Sequence, residues 1–198
     1  MFGGNKKPVT FPGKDNALIV KASGTNFKKN QRIEVPKGYE TILIEADGTS
    51  EAIKNQFDFR LETPVKYIYY AKSNQLKLSS KWGTRSRINV RTKDGNHKTL
   101  GAYGTMQFIL ANPIRYINHH MANKQSLDET DLTNTVLQKL PDIFTDLEET
   151  LSPIDETQTL SKTIKTHAFA SLKHFLDESG ITLEAFIIED VNLKLVEE

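Results

Sequence analysis

The feature that most constrains this chain is a change of hydrophobic period near Asn112. Before it, apolar residues recur at every second position, as on a strand with one face toward a core. After it they recur every third or fourth, as on an amphipathic helix. The first stretch is also punctuated by turn sequences, Pro12-Gly13, Pro36-Lys37-Gly38, Asp47-Gly48 and Asp94-Gly95. In residues 64–71, Val65, Tyr67, Tyr69 and Ala71 share one face. In residues 99–111, Leu100, Ala102, Gly104, Met106, Phe108 and Leu110 do the same. Both segments are expected to be half-buried strands. Residues 85–93 place Ser86, Ile88, Val90 and Thr92 on one side and Arg85, Arg87, Asn89, Arg91 and Lys93 on the other. Asp94-Gly95 suits a hairpin turn, so this strand should fold back antiparallel on the one beginning near Lys98.

Beyond the change, Pro113 suits a first helical position, and Ile114, Ile117 and Met121 follow at helical spacing. Ser126-Leu127-Asp128-Glu129 has the form of a capping box. Leu132, Val136, Leu140, Phe144, Leu147 and Leu151 then mark a long helix, with a break or kink expected at Pro141. Leu160, Ile164, Ala168, Leu172, Phe175 and Leu176 mark another, ended by Gly180 as a helix C-cap. Ile181, Leu183, Ala185 and Ile187, then Val191, Leu193 and Leu195, return to alternation. The expected fold is α+β, an antiparallel β-rich N-terminal half packed with amphipathic helices and a C-terminal strand. A segment 1–29 would precede one domain, 30–198, that is β-rich over 30–112, helical over 113–179 and a strand over 180–196.

The net charge of +1 conceals a division. Residues 126–198 hold 16 Asp and Glu against 5 Lys and Arg, and residues 1–125 carry +12. This fits two differently solvated regions, a positive face for an anionic partner, or head-to-tail packing of the basic half of one copy on the acidic half of the next. The cations concentrate between Lys72 and Lys98, where eight Lys and Arg meet one acid, Asp94. Arg85, Arg87, Arg91, Lys93 and Lys81 are the candidate residues for an anionic surface. Nucleic acid would gain from counterion release, and anionic lipid from about 1 kcal/mol per basic residue. A solvated face that guards a sheet edge is the plain alternative.

Catalytic chemistry finds little here. The chain has no cysteine, so disulfides, zinc ribbons and thiol catalysis are excluded, and a reducing compartment fits. It has no Gly-rich phosphate loop, G-x-S-x-G elbow or H-E-x-x-H pair. His167 and His174 are seven apart, His119 and His120 adjacent, and His97 falls in a hairpin turn; none has metal-ligand spacing. Asp128-Glu129 and Glu148-Glu149 sit on expected helix surfaces. No catalytic residue, cofactor, metal or small-molecule substrate is identified. No apolar run approaches the roughly 18 residues of a spanning helix, and neither a signal peptide nor a myristoylation start is expected.

Three blocks, in order, resemble the SPFH (stomatin/prohibitin/flotillin, band 7-like) superfamily. The first is Ile33-Glu-Val-Pro-Lys-Gly-Tyr-Glu-Thr-Ile-Leu-Ile44 followed by Asp47-Gly48. The second contains Tyr67-Ile-Tyr-Tyr70, Lys81-Trp-Gly-Thr84, Leu100-Gly-Ala-Tyr-Gly-Thr105 and Ala111-Asn-Pro113, and resembles a bacterial virion-core-protein-like branch. The third runs from Leu172 through Ser179-Gly-Ile-Thr-Leu183 to Leu193. Pro36, Gly38, Trp82, Gly83, Thr84, Gly104 and Gly180 are the motif residues, with structural roles. The resemblance implies a non-catalytic scaffold or adaptor, a homo-oligomer acting on a membrane-associated protein or an anionic membrane surface. Self-association would use the helical half. It implies a cytoplasmic location, peripheral at the inner face of the plasma membrane. The competing reading is a soluble nucleic-acid-binding module using Arg85, Arg87, Arg91 and Lys93.

Overall fold

Chain order and spatial order part company at residue 77. The computed structural model describes residues 7–13, 17–72, 77–84, 87–91, 97–121, 124–150 and 157–195; the side chains of 90, 91, 144–150, 157–160, 163, 193 and 195 are not among those described. The chain divides into unit 1, residues 1–76 and 110–129, and unit 2, residues 77–109 and 130–198. In chain order the elements are β1 (Ala17–Lys21), β2 (Arg32–Glu34), β3 (Tyr39–Ile44), β4 (Ser50–Ile53), β5 (Asp58–Arg60), β6 (Tyr67–Lys72), β7 (Lys77–Gly83), β8 (Ile88–Arg91), β9 (His97–Leu110), α1 (Pro113–His120), β10 (Ser126–Asp128), α2 (Glu129–Thr150), α3 (Thr157–Glu178) and β11 (Ile181–Leu195). The architecture is α+β with antiparallel sheets, as the hydrophobic periods predict.

Unit 1 is built on a five-stranded sheet in the order β10-β1-β6-β3-β4, with a separate β2-β5 pair. β1 lies within residues 1–29, set apart in the sequence reading, and supplies the second strand of this sheet. Ile33, Val35 and Leu61 from around the pair pack with Leu43, Ile68 and Tyr70 of the sheet in one apolar cluster. β6 departs from the half-buried expectation, because Ile68, Tyr69, Tyr70 and Ala71 are all buried. It is the middle strand of a sheet covered on both faces, so alternation of apolar residues no longer reports which side faces water. Turn chemistry follows the sequence: Gly38 has φ of +84°, as a type II turn requires, and Tyr39 N donates to Pro36 O at 3.2 Å. α1 begins at Pro113 with Asn112 Oδ1 accepting from Arg115 N at 3.0 Å, and buries Tyr116 and Ile117.

The capping box at Ser126 is not used as one. Ser126–Asp128 is a strand paired with β1, with Leu127 opposite Ile19 and buried, and α2 begins at Glu129. Edge pairing that buries Leu127 outweighs a cap of about 1 kcal/mol.

Unit 2 has the strand order β11-β9-β7, with β8 pairing the start of β9. β9 keeps the predicted alternation: Leu100, Ala102, Gly104, Met106, Phe108 and Leu110 are buried, while Tyr103 and Gln107 are exposed. Leu132, Val136, Leu140 and Ile143 of α2 and Ile164, Ala168, Leu172 and Leu176 of α3 supply the helical side of the core. Ser80 Oγ and Thr133 Oγ1 share a hydrogen bond of 2.7 Å between β7 and α2. The break expected at Pro141 does not occur, since α2 runs through it. The buried stripe on both sides of the proline holds the helix against a penalty of about 3 kcal/mol. Gly180, with φ of +81°, ends α3 in the left-handed conformation as predicted. β11 corrects the alternation: Ile181 and Leu183 point inward, but Phe186 takes the next buried place and Ile187 is exposed. The Asp94-Gly95 turn lies outside the described residues, although Arg91 pairs with His97 across it.

Candidate functional site

The motif segments around Trp82 and Gly104 meet by strand pairing. Antiparallel register sets Lys81 opposite Thr105, Trp82 opposite Gly104 and Gly83 opposite Tyr103. Trp82 is buried, stacked on Phe186 with ring centroids 4.4 Å apart, and its Nε1 donates to Ile187 O at 3.2 Å. This indole is what draws Phe186 inward and turns Ile187 out. Gly104 is required by a close approach: a Cβ there would sit 1.9 Å from Ile187 O and 3.1 Å from Glu189 N. Thr84 extends the ladder past β7, its N donating to Ala102 O at 2.9 Å and its Oγ1 accepting from Ala102 N at 3.2 Å. Trp82, Thr84 and Gly104 therefore shape the sheet that presents the residues on its other face.

That other face is open. Lys77, Ser79 and Lys81 of β7 are exposed, as are Arg87 and, from β9, Tyr103 and Gln107. Arg87 Nη2 would touch a Cβ at Gly101 at 4.0 Å, and Arg87 Nη1 donates to Thr99 O at 3.4 Å, so the guanidinium lies along the same face. Tyr103 is 52% exposed and Ile187 44%. Two of the three exposed large apolar side chains in the described residues thus belong to this sheet; the third, Phe57, is in unit 1. On β11, Glu184 pairs with Lys77 at 2.7 Å and Glu189 accepts a hydrogen bond from Thr105 Oγ1. Lys77 is opposite Ile109 in the register, so β11 rises from 184 to 189 as β9 falls from 109 to 105, which makes the two antiparallel.

Of the five cations singled out in the sequence, the structure brings Lys81 and Arg87 to one face. Arg85 and Lys93 lie outside the described residues, and of Arg91 only the backbone, in β8, is described. Tyr103, Glu184, Ile187 and Glu189 were not singled out. Tyr103 was visible as the outward residue between Ala102 and Gly104, whereas Ile187 was hidden by the shift of parity in β11. The division of charge also changes. Unit 1 has 14 Lys and Arg against 10 Asp and Glu, and unit 2 has 12 against 15, giving +4 and −3. The basic hairpin and the acidic helices belong to the same unit, so the halves of the sequence are not halves of the molecule.

Among the described residues no three His, Asp or Glu lie close enough together to hold a metal ion. Burial lowers the pKa of His120, whose ring lies tilted against Tyr116 with centroids 4.6 Å apart and whose Nε2 has no hydrogen bond. Burial raises the pKa of Glu40, partly offset by Lys54 at 3.7 Å. Both groups are in unit 1.

A search of curated proteins finds no match for this chain. A family model does match, over residues 51–198, and its span takes in all of unit 2, including the Trp82 and Gly104 segments and the Gly180 cap; the Ile33–Ile44 block lies outside it. With the matched region covering most of its length and an α+β fold of antiparallel sheets, the chain belongs to the SPFH domain-Band 7 family.

Proposed function

We propose that this protein is a non-catalytic scaffold or adaptor that self-associates and engages a membrane-associated protein or an anionic membrane surface. Membership of the SPFH domain-Band 7 family supports a scaffold-type role in general. The observation that carries the finer reading is the alignment of Lys81 and Arg87 on an exposed sheet face beside an exposed tyrosine, Tyr103. An exposed face with long cations and an amphipathic ring suits a headgroup layer or an acidic protein surface better than a buried ligand. Lys81-Trp-Gly-Thr84 and Leu100-Gly-Ala-Tyr-Gly-Thr105 further support the bacterial virion-core-protein-like branch.

The mechanism is multivalent. One copy contributes a weak electrostatic contact, and repetition of that contact along an assembly supplies avidity without new chemistry. No helix among the described residues is long and apolar enough to cross a membrane. In this reading attachment is peripheral, at the cytoplasmic face of the plasma membrane, as the family resemblance implies.

Flotation with phosphatidylserine-rich vesicles tests the lipid arm. The wild-type chain should float at low salt and be released as salt rises. Lys81→Glu combined with Arg87→Glu should lower partition roughly thirty-fold, at about 1 kcal/mol per basic residue. No flotation at low salt would remove lipid as the partner and leave the membrane-associated protein.

A further inference from the structure

The open face of the unit 2 sheet carries its two signs on opposite strands. The β7–β8 side contributes Lys77, Lys81 and Arg87, and β11 contributes Glu184 and Glu189. Between them, from Thr99 to Ile109, the outward residues of β9 are Thr99, Gly101, Tyr103, Thr105, Gln107 and Ile109, none of them charged. The β7–β9 register and the side-chain contacts made by β11 arrange these groups in rows across the sheet. One row is Lys77, Ile109 and Glu184, closed by the 2.7 Å ion pair. The next is Lys81, Thr105 and Glu189, in which Lys81 has no ion pair among the described residues. Tyr103 stands clear of this platform because its cross-strand neighbour is Gly83 and the preceding outward residue is Gly101.

From this pattern we infer that the face is a docking surface for a second copy of the chain, related by a two-fold axis parallel to β9. The inference deepens the reading of the chain as a self-associating scaffold and rests on it. Rotation about such an axis leaves each residue's position along the strand unchanged and exchanges the β7 side with the β11 side. Lys81 of one copy then faces Glu189 of the other, Lys77 faces Glu184, and Tyr103 meets Tyr103. Each row reads cation, neutral, anion, so the surface is complementary to itself under this one operation. Arg87, over Gly101, falls at the rim, whereas Lys81 and Tyr103 serve both readings, so a second copy and the partner proposed above compete for this face.

Size sets the strength. Three strands about 4.8 Å apart, over the length of β7 at about 3.4 Å per residue, give a footprint near 350 Å². A standard interface buries about 800 Å² per partner, so this contact is weak, with a Kd on the order of 100 μM. A two-fold contact closes at two copies, so this surface gives a weak, reversible dimer.

Sedimentation velocity of the full chain, up to about 500 μM at low salt, tests it at concentrations above the expected Kd. The wild type should show concentration-dependent association. Tyr103→Glu should abolish it. Lys81→Glu and Glu189→Lys should each weaken it about ten-fold or more, by setting like charges opposite one another. An equimolar mixture of those two variants should regain association, because both rows of a mixed dimer again hold opposite charges. Circular dichroism on each variant checks that it is folded, and Lys81 and Tyr103 are exposed positions. If the wild type associates but Tyr103→Glu and Lys81→Glu do so equally well, or the mixture shows no recovery, this interface is wrong while self-association stands. A wild type that stays monomeric throughout overturns both.

Discussion

Unit 1 and unit 2 are both founded on antiparallel sheets, yet they use the two faces of the sheet differently. In unit 1 the middle strand buries four consecutive residues, Ile68 to Ala71. In unit 2 the middle strand alternates strictly, with six buried residues from Leu100 to Leu110 facing the helical side and uncharged, less buried residues facing out. The first arrangement spends both faces on stability. The second leaves one face free, and the exposed tyrosine and the strand-segregated charges are on that free face. Surface chemistry is thus concentrated where one-sided burial leaves side chains available.

Several substitutions would break or sharpen this contrast. The largest effect is expected in the packing that holds the open face in shape: Trp82→Ala should cost about 3–5 kcal/mol in chemical denaturation, and Gly104→Ala about 3 kcal/mol. If Gly104→Ala is tolerated with little loss, the close approach of β11 to β9 is not as described. The next test compares neighbours along each middle strand. In β6, Ile68→Ala and Tyr69→Ala should each cost more than about 2 kcal/mol despite pointing to opposite faces. In β9, Met106→Ala should cost a similar amount, but Gln107→Ala should stay within about 0.5 kcal/mol. Equal losses at positions 106 and 107 would mean that the outer face of unit 2 is covered.

The smallest effect is a pH dependence peculiar to unit 1. Burial raises the pKa of Glu40, so the folded state holds its proton more tightly than the unfolded chain does. Stability should therefore fall as pH rises from the ordinary glutamate value of about 4.5 through the raised one, then level off. Glu40→Gln should flatten that slope and gain on the wild type as pH rises toward neutral. An unchanged slope in the variant would assign the dependence to another group.

Much of this was legible in residues alone, for stated reasons. β9 could be read to the residue because a strand with one wet face must alternate. Pro113 and Gly180 could be placed because proline at a first turn and glycine past a last one satisfy local backbone demands. Lys81 and Arg87 were singled out from charge density, and both are on the exposed face. Where reading failed, a distant partner had intervened. Ser126 looked like a helix cap until β1 claimed it as an edge strand, and Ile187 looked inward until Trp82 drew Phe186 into that place.

The sequence by itself determined the α+β class, the helix-bearing and strand-bearing stretches, the turns at Gly38 and Gly48, and a motif order specific enough to point to the family. Only the tertiary structure decided that the basic hairpin and the acidic helices share a unit, that Trp82 lies against Gly104, and that cations and anions stand on opposite sides of one open face. Period, caps and turns depend on interactions within a few residues. Register and sheet order depend on hydrogen bonds between segments as far apart as Trp82 and Ile187, which no local pattern encodes.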